Sequence, residues 1–99
     1  MRRAVFAFSF DREAEVIGRY IERQFGPAVR QEFIAGLAKT CSQIAAFPGI
    51  GVGRHGYPTA LRGFVFRMSW VFFEYDDTEV RFLHIRDARM KKSDQLFSL

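Results

Sequence analysis

Apolar and polar positions divide this chain into two regimes, an early part with helical spacing and a late part with strand spacing. The late part is the densest. It reads Phe64-Val-Phe-Arg-Met-Ser-Trp-Val-Phe-Phe-Glu-Tyr75, breaks at Asp76-Asp-Thr-Glu79, and resumes as Val80-Arg-Phe-Leu-His-Ile-Arg86. β-branched and aromatic residues dominate both runs, and the acidic break between them predicts the turn of a hairpin. Phe64, Phe66, Trp70 and Phe72 share one parity, and Val65, Val71, Phe73 and Tyr75 share the other. A sheet with one wet face alternates cleanly between apolar and polar. This one therefore predicts cover on both faces, with a turn near Met68-Ser69 able to exchange the parities.

Upstream, residues 3–9 predict a first strand, and Ser9 or Asp11 is placed to cap the helix that follows. Glu13 and Glu15 suit the positive end of that helix. Val16, Ile17, Tyr20, Ile21, Gln24 and Phe25 then recur on one stripe. Gly26 predicts a left-handed cap and Pro27 the first position of the next helix. The second helix carries Phe33, Ile34, Leu37, Cys41, Ile44 and Ala45 and stops by Phe47-Pro48. Gly36 in its middle costs roughly 1 kcal/mol against Ala, a cost expected to be offset by close packing on the first helix. Residues 48–61 predict a loop. Gly49, Gly51 and Gly53 alternate there, but a phosphate-binding turn needs a strand before it and a helix after it, the reverse of the order here.

The predicted order is β-α-α-β-β-β, an α+β fold with a helical hairpin packed on one face of a mostly antiparallel sheet. Ninety-nine residues predict a single domain, 1–99, with residues 90–99 as a C-terminal tail. The other sheet face then needs the tail, through Leu96, Phe97 and Leu99, or a partner.

Composition adds a partner class. Fifteen Lys and Arg against 11 Asp and Glu give +4, which favours acidic partners. The lone Cys41 excludes an intramolecular disulfide and suits a reducing cytoplasm. In the start, Met1-Arg-Arg-Ala-Val-Phe-Ala-Phe-Ser-Phe10, the apolar run is short for a secretion signal, is broken by Ser9 and is followed at once by Asp11-Arg-Glu13, so a cytoplasmic protein is expected. Two distant histidines, one cysteine and scattered carboxylates match no metal spacing, and no cofactor is expected.

Four stretches carry a family resemblance. They are Ala14-Glu-Val-Ile-Gly-Arg-Tyr20, Ile44-Ala-Ala-Phe-Pro-Gly-Ile-Gly51, Leu61-Arg62-Gly-Phe64, and Val71-Phe-Phe with the acidic turn and Val80–Arg86 after it. Taken in this order over roughly residues 5–89, the chain resembles the ParE branch of the ParE/RelE toxin superfamily. Asp87 stands where that family often has a histidine, and His84 lies three positions earlier. The resemblance implies a toxin of a type II toxin–antitoxin system, held inactive by a cognate antitoxin. ParE-type members block DNA gyrase, which implies gyrase as the target. RelE-type relatives cut mRNA on the ribosome, and this is the alternative.

RNA cleavage requires a general base, a general acid and cations around the phosphate. The chain has arginines at Arg62, Arg67, Arg81, Arg86 and Arg89, but no tyrosine after Tyr75 and no histidine after His84. His84 would need a carboxylate to orient it, and Asp87 is too close along a strand to point the same way. A non-enzymatic toxin is therefore expected, with no catalytic residues. The five arginines are the expected target-binding groups, and Phe64, Phe66, Trp70, Phe72 and Phe82 the expected antitoxin-binding face. Arg81 and Arg86 also have acidic neighbours, Glu74 and Glu79, with which they could pair across the hairpin.

Overall fold

The computed structural model describes residues 2–53 and 60–90. The expectation that Leu96, Phe97 and Leu99 cover the second sheet face falls outside these residues. Strand β1 (Arg3–Phe6) leads into helix α1 (Phe8–Phe25) and helix α2 (Pro27–Ala46). A single 3-10 turn, Pro48–Ile50, precedes the two-residue β2 (Val52–Gly53), and β3 (Arg62–Phe66), β4 (Ser69–Tyr75) and β5 (Glu79–Asp87) follow. The sheet order is β1-β5-β4-β3-β2, with β1 parallel to β5 and every other pair antiparallel. The α+β fold and the helical hairpin are as the periodicity predicts, with β2 as an added edge.

The helical hairpin turns where Gly and Pro stand together. Gly26 takes φ 94°, which a side chain would resist, and its N–H donates to Glu22 C=O. Arg30 of α2 donates to both Glu15 and Glu22 of α1, at 3.0 and 3.1 Å. The apolar stripes Phe10, Ile17, Ile21 and Phe33, Leu37, Cys41, Ile44 meet Val71, Phe73, Val80, Phe82 and Ile85 of the sheet in one core. Met90, expected in the tail, is buried in that core. Phe25 and Ile34, expected in the stripes, are exposed instead.

Gly36 makes its close approach to the sheet and not to helix one. A Cβ there would stand 2.7 Å from the Phe66 ring. The first strand is also shorter than predicted. The chain turns helical at Phe8, with Ala7 as an N-cap that offers no side-chain bond. Ser9 and Asp11 do not cap, because the Ser9 hydroxyl donates instead to Leu83 C=O at 2.8 Å.

That bond belongs to a series along the free edge of β5. β1 covers only the first half of β5, so the second half would expose unpaired backbone groups. Ala7 N–H continues the ladder to Phe82 C=O at 2.9 Å. Ser9 then meets Leu83 C=O, and the Glu13 carboxylate accepts Ile85 N–H at 3.2 Å. Side chains of α1 replace the missing strand and seal the edge.

Register decides which residues share a face. The turn at Arg67-Met68 pairs Phe66 with Ser69, Phe64 with Val71 and Val65 with Trp70. Phe64 and Phe66 therefore lie with Val71 and Phe73 under the helices, and Val65 and Trp70 lie on the outer face. A register shift between Phe72 and Phe73 lets both Phe82 and Ile85, three residues apart, enter the core.

Candidate functional site

The five arginines divide by how they are held. Arg81 on β5 donates to Glu74 at 3.1 Å and to Asp76 and Glu79 at 2.9 Å each. Those three carboxylates hold its guanidinium charged, well above its ordinary range, with Glu79 contributing most. In return Asp76 falls well below the carboxylate range, chiefly through the Thr78 backbone N–H and then Arg81. Arg89 forms a two-pronged pair with Asp87, Nε to Oδ1 at 2.9 Å and NH2 to Oδ2 at 2.7 Å. Arg62 donates to Gly51 C=O at 3.1 Å and lies 5.7 Å from the centre of the Tyr75 ring. These three brace the sheet.

Arg67 and Arg86 differ. Among the described residues, neither makes a hydrogen bond or an ion pair. Arg67 is exposed in the β3–β4 turn at φ 55°, with its guanidinium 5.4 Å from the Phe66 ring. Arg86 stands across from Trp70, which stands across from Val65, in one row of the outer face. Both arginines lie at the same end of the sheet, where Ser69 pairs with Asp87. The structure thus separates two available cations from three structural ones.

The expected aromatic face is not one surface. Phe82 is 0% exposed in the helix-covered core, and Phe64 and Phe66 pack against that core. Trp70 and Phe72 lie on the other side and stack at 6.2 Å between ring centres. Of the five, Trp70 is the one beside Arg86 on the outer face. Two-residue periodicity read straight through the Arg67-Met68 turn groups them wrongly, because a two-residue hairpin joins even positions of one strand to odd positions of the next.

Two buried carboxylates were not legible as site residues. Asp87 is fully buried at the end of β5, where Ser69 Oγ donates to it at 2.8 Å. Burial alone would raise its carboxyl, but the Arg89 and Ser69 hydrogen bonds outweigh that and hold it low. Glu13 on α1 is 4% exposed, and burial raises its carboxyl despite the His84 and Ile85 hydrogen bonds. His84 Nδ1 lies 3.1 Å from both Glu13 oxygens. The carboxylate that orients His84 thus comes from the first helix and not from Asp87. Cys41 is buried, and burial pushes its thiol up to about 12, which makes it a poor nucleophile. Among the described residues no three His, Cys, Asp or Glu side chains gather as metal ligands. Among the same residues no helix is long and apolar enough to cross a membrane.

This architecture, a helical hairpin on one face of a five-stranded mixed sheet with arginines at the sheet end, is the ParE/RelE-like fold. The chain is similar to a solved structure of the chromosomal ParDE toxin–antitoxin system from P. aeruginosa, with TM-score 0.76 and 13% identity, covering 88% of this chain and 96% of that one. It is also similar to the solution structure of a conserved hypothetical protein from Helicobacter pylori, with TM-score 0.57 and 17% identity, covering 98% and 100%. No curated protein sequence matches it. The family model described as the ParE toxin of type II toxin-antitoxin system, parDE, matches residues 5–92. The chain belongs to the ParE toxin family.

Proposed function

We propose that this ParE-family toxin acts by binding DNA gyrase without catalysing a reaction, and that its cognate antitoxin neutralises it by covering the same surface. The family match over residues 5–92 carries this reading. Arg67 and Arg86, the two of the five expected arginines that make no hydrogen bond or ion pair among the described residues, are the groups we assign to the target. Arginine suits a carboxylate or phosphate on a partner because its planar fork makes two hydrogen bonds at once. The antitoxin docks on the outer-face row of Val65, Trp70 and Arg86. Occupying Trp70 then removes Arg86 from the target, and one contact serves both partners. The protein works in the cytoplasm, where both are found.

One observation favours the second reading, an mRNA endonuclease of the RelE type. Glu13 supplies the orienting carboxylate that a general-base histidine needs, and His84 stands two residues from Arg86 on β5. Inducing the chain alone in a bacterium separates the two. Trapped gyrase–DNA cleavage complexes and lost supercoiling are expected, with mRNA intact. Codon-positioned mRNA cuts with normal supercoiling, abolished in His84→Ala, would establish the endonuclease instead.

A further inference from the structure

The outer edge of β1 faces an open apolar groove. Two adjoining cavities of about 460 and 250 Å³ share Phe6, Ala38 and Cys41 and run between β1 and α2. Arg2 lines the far end of the larger cavity, and Asp11 lines the smaller. Phe6, which lines both cavities, is 43% exposed, and Phe8, two residues on at the start of α1, is 74% exposed.

The hydrogen-bond parity of β1 shows what the edge offers. Arg3 N–H donates to Thr78 C=O and Ala7 N–H to Phe82 C=O, so odd positions face β5. The N–H and C=O groups of Ala4 and Phe6 therefore face away from the sheet. β1 ends the strand order, and among the described residues nothing bonds these four groups. Such an edge is a template for strand addition.

We propose that the occupant is a second copy of this chain, paired antiparallel through β1 about a two-fold axis at Val5. In that register Ala4 faces Phe6 of the second copy, and Phe6 faces its Ala4. Each facing pair exchanges N–H and C=O in both directions, which satisfies all eight outward groups of the two strands. No other alignment of this four-residue edge with itself does so. The same axis carries Arg2 of each copy toward the α1 start of the other, where Asp11 stands. The groove has a basic end and an acidic end, and the two-fold matches each with its opposite. Phe6 and Phe8 move from solvent into the joint. The two sheets become one of ten strands with no β1 edge left, a closed, isologous dimer.

Sedimentation equilibrium of the purified full chain, from about 1 μM to 1 mM, reads this directly. The mass should rise from 11.5 kDa toward twice that value. Amide exchange at Ala4 and Phe6 should slow at least tenfold with concentration, while Val5 stays constant. Ala4→Pro removes an outward N–H without touching the β5 ladder and should abolish the dimer. If that variant unfolds, Phe8→Glu, at an exposed position, must weaken the dimer at least tenfold on its own. A monomer across the whole range, a dimer that survives both substitutions, or unchanged Ala4 and Phe6 exchange would overturn the proposal. So would protection of those two amides by an added peptide while the free chain stays monomeric.

Discussion

His84 and Glu13 lie 71 positions apart in the chain, yet Nδ1 of the imidazole sits 3.1 Å from both carboxylate oxygens. The same carboxylate accepts Ile85 N–H, so Glu13 fastens α1 to β5 through a side chain and a backbone group at once. A buried carboxyl with a raised proton affinity has a signed consequence for stability. In the interval above its ordinary 4.5, the folded state holds more protons than the unfolded one. Stability contributed by this group is therefore highest at low pH and declines as pH rises through the folded value. Glu13→Gln keeps an acceptor for Ile85 and has no proton to lose. Measured between pH 4 and 7, the urea midpoint of the wild type should decline with pH relative to that of the variant. Parallel slopes would show that Glu13 does not titrate in this way.

Asp87 works in the opposite direction. Its carboxyl is held below 3.8, so it contributes stability above that value and loses it as pH falls through the lower folded value. Asp87→Asn keeps an acceptor for Ser69 but strands the Arg89 guanidinium. The loss at pH 7 should be about 2 kcal/mol, a Tm drop of roughly 10 °C, and it should shrink below pH 3. Calorimetry over that range tests both statements.

Gly36 opposes local preference to packing. Alanine there gains about 1 kcal/mol of helix propensity. Its Cβ would meet Phe66 at 2.7 Å, and overpacking of that kind costs about 1–3 kcal/mol. Gly36→Ala should destabilise the protein, and adding Phe66→Leu should restore part of the loss. Thermal melts of the single and double variants decide it.

The arginines should separate cleanly between function and stability. Arg67→Ala and Arg86→Ala remove no internal bond among the described residues, and each should melt within about 2 °C of the wild type. The double variant should lose toxicity in an induction assay while still binding antitoxin through Trp70. Arg81→Met should instead lower the melting temperature, because three carboxylates at the hairpin lose their common cation. Full toxicity of the Arg67/Arg86 double variant would remove both residues from the target surface.

Much of the scaffold was legible because its signals are local. Gly26-Pro27 marks the helix junction, and the acidic break at residues 76–79 marks the hairpin to within a residue. The β5 faces were not legible, because the irregularity opposite Phe72 and Phe73 changes a period of two into a step of three between Phe82 and Ile85. The start of α1 was missed for a related reason. Ser9 and Asp11 look like caps in isolation, but Ser9 is claimed by a carbonyl 74 positions away. The arginines were found by type, but only their partners distinguish Arg67 and Arg86 from Arg62, Arg81 and Arg89. No sequence spacing announces Glu13 as the partner of His84. The helical stripe marks its neighbours Ile17 and Ile21, while Glu13 itself reads as an ordinary first-turn acid.

The parallel pairing of β1 with β5 joins Arg3 to Glu79, so the first strand made is completed by the last. During synthesis β1 emerges with no strand partner and must wait for residues 79–82. Helices α1 and α2 can form and pair early, since their contacts are local, but β5, which joins β1 to β4, is made after all the other strands. The sheet end that carries Arg86 is assembled in that final step. A chain cut between residues 46 and 79 therefore contains both helices but lacks the strand that joins β1 to β4. The surface proposed for the target is therefore completed only once β5 has been made.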